Sequence, residues 1–154
     1  MGLGFALGTA ERSFYTAQEF VSRIGGEYYC PLYARVGGQI ELSGRFDRHL
    51  YSLEHVIVGF EERPKTRSRR WLMRSETYRD ADKLFAGYSP EQNVYFPSMA
   101  TYHDITVDDA GWFKCRVLMD YKGREGMYYL FVWLREKRGG MPVLAAVATV
   151  DVTK

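Results

Sequence analysis

The run Asp109-Ala110-Gly111-Trp112-Phe113-Lys114-Cys115 passes from a turn into a strand within seven residues. Asp109 and Gly111 are turn formers. The alternation that follows directs Trp112 and Lys114 to one side and Phe113 and Cys115 to the other, so Cys115 is expected to face a core. The same texture extends in both directions. Short segments rich in Val, Ile, Tyr, Phe and Trp, bounded by Gly, Pro, Asp and Ser, predict strands at Glu27 to Leu32, Gln39 to Leu42, His55 to Phe60, Arg70 to Met73, Met99 to Val107, Trp112 to Met119, Tyr128 to Leu134 and Val143 to Val152. Gly37-Gly38, Lys122 to Gly126 and Gly139-Gly140 supply the clearest turns. Helix is the minority state. Thr16 to Gly26 combines a capping box with terminal glycines but also alternates as a first strand, the reading preferred here, and Asp80 to Leu84 predicts one helical turn. The expected class is all-β.

Composition bounds the rest. A chain of 154 residues is one domain's worth and needs neither a metal nor several disulfides to complete its core. Residues 1–15 are read as an N-terminal segment, a signal remnant or a disordered lead-in without a basic n-region, and 16–154 as the single domain. A net charge of +2 sets up no field that would argue for nucleic acid. No apolar run approaches the roughly 18 residues of a membrane span. Asn93 is followed by Val94 and Tyr95, which is no glycosylation acceptor. Cys30 and Cys115 lie too far apart for the short-spaced pairs of a zinc site or a redox C-x-x-C. One long-range disulfide, which implies an oxidising compartment, and two unrelated buried thiols are the remaining uses.

With its turn, its alternation and its cysteine, Asp109 to Cys115 resembles the D-x-G-x-Y-x-C signature that leads into the sixth strand of immunoglobulin domains. Ala100, Tyr102 and Ile105 then fall on the family's fifth strand, Ala146 to Lys154 on its last, and Gly25 to Leu32 is similar to its second. The resemblance implies a two-sheet antiparallel sandwich with Greek-key connections, of the variable or intermediate type, and a Cys30–Cys115 inter-sheet disulfide worth roughly 4 to 5 kcal/mol in the chain-entropy model. Phe113 replaces the usual corner tyrosine. The core tryptophan of the third strand is then Trp71, which requires a long insertion before it, or else the third strand is His55 to Phe60 with Phe60 in the tryptophan's place.

Nothing in the chain assembles into catalytic chemistry. His49, His55 and His103 lack ligand spacing, Ser52 and Ser68 lack a nucleophile context, and the adjacent Glu61 and Glu62 point opposite ways on a strand, so no enzyme, metal or cofactor is expected. Arg63, Lys65, Arg67, Arg69, Arg70 and Arg74 form a basic segment with three readings: a solvated loop, a site for sulfated glycans or other anions, and a processing site at Arg67-Ser68-Arg69-Arg70. Tyr128 to Leu134 is apolar on both faces. One face must be core, and the other, carrying Tyr129, Phe131 and Trp133 or, with a slip of one residue, Tyr128, Leu130 and Val132, is either covered by the unassigned stretch or a candidate protein-binding surface. The leading expectation is an extracellular recognition or adhesion domain that binds a protein partner, a second copy of itself included. The alternative is a secreted glycan- or anion-binding factor acting through residues 63–74.

Overall fold

Period-two burial runs through Trp112–Leu118 and Gly126–Glu136 in the computed structural model, which describes residues 26–62 and 83–154. Ten strands follow in order: β1 (Glu27–Tyr29), β2 (Tyr33–Arg35), β3 (Gln39–Arg45), β4 (Tyr51–Glu61), β5 (Lys83–Tyr88), β6 (Ala100–Tyr102), β7 (Ile105–Val107), β8 (Trp112–Leu118), β9 (Gly126–Glu136) and β10 (Pro142–Thr153). They form two sheets, of four strands in the order β1-β3-β8-β7 and six in the order β2-β10-β9-β4-β5-β6. Pairing is antiparallel except for β2 with β10 and β5 with β6. The inward residues of both sheets merge into one core. Val56, Val58 and Phe60 of β4, Leu130 and Val132 of β9 and Val150 of β10 meet Leu42 of β3 and Phe113 and Val117 of β8. The molecule is an all-β, two-sheet sandwich.

Most predicted strands recur with shifted ends. Met99 to Val107 breaks into β6 and β7, which belong to different sheets. The stretch from Leu32, an insertion only if Trp71 is the core tryptophan, holds β2, β3 and β4, the last two of which contain the predicted strands Gln39 to Leu42 and His55 to Phe60. Lys83 and Leu84 lie in β5 and not in a helical turn. Thr16 to Gly25, the Arg70 to Met73 strand and Trp71 fall outside the described residues. The third-strand aromatic that is described is Phe60, which is buried with its ring 4.8 Å from Tyr121 and 5.4 Å from Tyr128.

The turn before β8 forms where expected, but the neighbouring acid makes it. Asp108 accepts from Ala110 N–H at 2.8 Å and from Trp112 N–H at 2.9 Å through its carboxylate, while Asp109 pairs with Arg48 at 3.4 Å. Gly111 has φ of +89°, and a Cβ there would lie 2.3 Å from the Phe46 carbonyl oxygen, so only glycine fits. Phe113 is a core residue, 5.9 Å from the Tyr28 ring.

The expected disulfide is corrected by the register. Tyr29 of β1 stands opposite Ser43 of β3, so Cys30 stands level with Leu42, and Leu42 pairs on its other side with Cys115. The two cysteines thus flank one strand of the same sheet. Two inter-strand spacings make roughly 10 Å, beyond the ~7 Å Cα separation a disulfide tolerates. Both are free, Cys30 half-buried and Cys115 buried. Burial pushes the Cys30 thiol up to about 12 and Cys115 higher still.

A hydrogen-bonded corner does form, at Tyr128 and not at the position of Phe113. The fully buried Tyr128 donates its hydroxyl to the Arg124 carbonyl at 2.7 Å and accepts from Tyr121 N–H at 2.9 Å. It clamps the connection between β8 and β9.

Two outcomes are expected. In native protein at about pH 8 both thiols should resist alkylation, because the thiolate is the nucleophile. After denaturation without reductant both should label; fewer than two labelled thiols would contradict the register. Tyr128→Phe should cost about 1 kcal/mol in urea unfolding, since it removes two part-buried hydrogen bonds, to the Arg124 carbonyl and from Tyr121 N–H.

Candidate functional site

Alternation along β9 puts Tyr128, Leu130, Val132 and Leu134 into the core with no exposure and turns Tyr129, Phe131 and Trp133 outward, where each is half-buried. The neighbouring strands complete an apolar row. Phe131 pairs with Ile57 of β4 on one side and Val147 of β10 on the other, and both are buried although they point away from the core. Tyr129 pairs with Gly59 and stacks on Phe131 at 6.3 Å and 17°. Trp133 pairs with His55, whose ring lies 6.3 Å from the indole and 5.6 Å, edge-on, from Phe96.

Polar pairs close both ends of this row. At one end Tyr129 donates its hydroxyl to Glu61 Oε2 at 2.7 Å. At the other, Arg135 makes a bidentate pair with Glu54, both contacts at 2.5 Å, and a further bond to the Gly140 carbonyl. The guanidinium holds the Glu54 carboxyl below its ordinary range. Burial lowers the His55 imidazole, an effect that Glu54 opposes and Arg135 reinforces.

The remaining features carry less chemistry. An open groove beside Gly26, at the end of the sandwich, is lined by Arg45, Arg48, His49, Asp47 and Asp109, whose mixed charges include the Arg48–Asp109 pair. The exposed Leu50 and Met141 belong to neighbouring loops, joined by a bond from Lys137 N–H to the Leu50 carbonyl. His49, His55 and His103 do not converge, and among the described residues no group of three or more His, Cys, Asp or Glu side chains could hold a metal. No helix among them is long and apolar enough to cross a membrane. Arg63, Lys65, Arg67, Arg69, Arg70 and Arg74 lie outside the described residues.

Sequence reasoning left two registers open for the aromatic face, and the structure selects the odd-numbered set. It missed the corner at Tyr128, although Gly126-Met127-Tyr128-Tyr129-Leu130 repeats the glycine-aromatic spacing of Gly111 to Cys115 with leucine in the cysteine's place.

No family model matches the chain, and no curated protein resembles it in sequence. Among solved structures it is similar to the sulfur carrier protein SoxY from Chlorobium limicola f thiosulfatophilum. The identity is 13%, with 89% of this chain and 94% of that one covered and a TM-score of 0.35. A likeness at this level carries no argument about function.

Arg135→Ala should return the Glu54 midpoint to the ordinary carboxylate range, read by carboxyl NMR titration. The sign follows from linkage: Glu54 is depressed in the folded state, so its stabilisation is present above its unfolded value, about 4.3, and is lost as pH falls through the folded one. An unmoved midpoint would separate the pair.

Proposed function

We propose that the chain is a variable-type immunoglobulin-like recognition domain that binds a protein partner through the outer face of its six-stranded sheet. Strand order supports the fold assignment. With β1 and β3 to β10 taken as A, B, C, C′, C″, D, E, F and G, the sheets read A-B-E-D and G-F-C-C′-C″, with β2 added in parallel beside G. Tyr128 supports it too, because a tyrosine at the start of the F strand bonding back to upstream backbone is the family's corner. Cys115 then lies on the E strand. The inward positions of β3 and β9 hold Ile40, Leu42, Leu130 and Val132 where the family carries its inter-sheet disulfide. Two departures accompany this: the disulfide is missing, and β5 and β6 run parallel.

One observation carries the binding assignment: the register that gathers Tyr129, Phe131, Trp133, Ile57 and Val147 onto one outward face. Large aromatic groups on rigid strands supply contact area at low entropic cost, and interface hot spots are enriched in them. A recognition module, not an enzyme, is the reading this favours. An extracellular setting, as a secreted protein or a cell-surface ectodomain, now rests on the family resemblance alone, since free cysteines supply no redox argument.

Screening against cell-surface ectodomains, with the chain itself included as a partner, tests the proposal. Phe131→Asp should leave thermal unfolding nearly unchanged and abolish capture or self-association. Leu130→Asp should unfold the domain, because an unpaired carboxylate in the core is costly. Phe131→Asp binding as well as wild type would remove this face from the function. Strong, salt-sensitive retention on heparin would instead point to the basic segment at 63–74.

A further inference from the structure

Gly87 lies on the outer face of β5, between the inward Ala86 and Tyr88, and Phe96 covers it. A Cβ at this position would sit 2.4 Å from Phe96 Cδ2 and 2.5 Å from Cε2. Glycine inside a strand often marks such a close approach. Phe96 belongs to residues 89–99, which connect β5 to β6. Those strands run parallel, Gly87 opposite Thr101, so the connection must double back along β5, and it does so over the outer face. Its first residues are tied to β6 and beyond: Ser89 N–H donates to the Tyr102 carbonyl at 3.0 Å, and the Ser89 carbonyl lies 3.0 Å from His103 Nδ1. Glu91 N–H donates to Ser89 Oγ at 3.2 Å, Val94 N–H to the Glu91 carbonyl at 3.3 Å and Phe96 N–H to Thr101 Oγ1 at 2.9 Å, so past Glu91 only the last of these reaches outside the connection. The main side-chain contact is the edge-on packing of Phe96 against His55, 5.6 Å between rings.

His55 is half-buried between Phe96 and Trp133, and its ring makes no hydrogen bond to a described residue. We infer that the 89–99 connection is a strap across the six-stranded sheet that acid releases, with protonation of His55 as the trigger. A neutral imidazole can share an aromatic slot, whereas an imidazolium needs water or an anion. Neither ring carries a charge or a lone pair that could replace that water: Trp133 is tilted by 46° at 6.3 Å, outside the ~6 Å range of a useful cation–π contact, and Phe96 meets the imidazole at 85°.

The charged groups around the slot do not rescue the cation. Glu54, on the same strand, is the carboxylate that would favour it, but both its oxygens are committed to Arg135 of β9, whose positive charge opposes it. Glu91, from the strap, acts on Arg135. Burial lowers His55 in the strapped state. Strapping is therefore favoured above the unperturbed value of about 6.5 and weakens as pH falls through the lowered one.

Release would uncover Gly87 beside Ile57 and Trp133, widening the apolar row at Phe131. That consequence rests on the proposed binding face, but the test does not, because it is run on the free full-length chain. NMR of labelled protein from about pH 8 to about pH 5 reads three signals: the His55 ring titration, the ring-to-ring cross-relaxation between His55 and Phe96, and amide exchange at Val94 and Phe96. Wild type should show a His55 midpoint below the ordinary value, with the ring contact and amide protection lost together across it. In Phe96→Ala the midpoint should rise toward the ordinary value. In His55→Phe, which keeps the slot filled, the amides should stay protected throughout. An unmoved midpoint in Phe96→Ala, or the same acid response in His55→Phe, overturns the strap. Either result leaves partner capture at Phe131 as a separate question, and a failed capture leaves the strap standing.

Discussion

Tyr128 stands where three demands on the fold meet. Its ring is fully buried between the sheets, its hydroxyl closes the connection from β8, and its backbone pairs with Phe60 on one side and Val150 on the other. The ring's burial and the hydroxyl's bonds together fix the register of β9. Because side chains alternate with a period of two, a slip of one residue would send Tyr129, Phe131 and Trp133 inward and expose Leu130 and Val132. The outer face exists only while the corner holds.

The strands themselves were legible because burial writes a period-two pattern into β8, β9 and the second half of β10. Their assignment to sheets was not, and Cys115 shows why. Gly111 to Cys115 and Gly126 to Leu130 have the same spacing and differ mainly in the final residue. A cysteine outweighs a leucine in a single sequence, although both positions are simply core. That choice placed β8 one sheet away from its true neighbours, paired two thiols that flank Leu42, and left open whether an insertion precedes Trp71 or His55 to Phe60 is the third strand. β2 was missed for a different reason: Tyr33-Ala34-Arg35 is a three-residue edge strand, and its pairing with β10 depends on distant chain. The outward aromatic set was legible only as one of two registers, since nothing local to Tyr128 to Leu134 distinguishes its faces.

Without a covalent tie between the sheets, stability falls on apolar contact. The sheets are held by inward rows such as Val58, Leu130 and Ala148 of β4, β9 and β10, all buried, in one core with Leu42 and Phe113 of the other sheet. Such a core depends on shape. Gly44 is one example, since a Cβ there would lie 2.5 Å from the Glu27 carbonyl and 2.8 Å from both Phe113 and Tyr28. A sandwich held this way needs no oxidant to fold, so its stability is indifferent to the redox state of its surroundings.

The charges around the outer face also constrain what can bind it. Glu61 is engaged by Tyr129 at one end and Glu54 by Arg135 at the other, so the acidic groups nearest the aromatic row are already satisfied within the domain. A partner that broke these pairs would strand buried or half-buried carboxylates, which costs more than a new surface ion pair returns. The proposed binding must therefore leave them in place and draw on the apolar strip between them. Recognition of that kind depends on shape and on the excluded water, and its strength should vary little with ionic strength, unlike anything drawn to the basic segment.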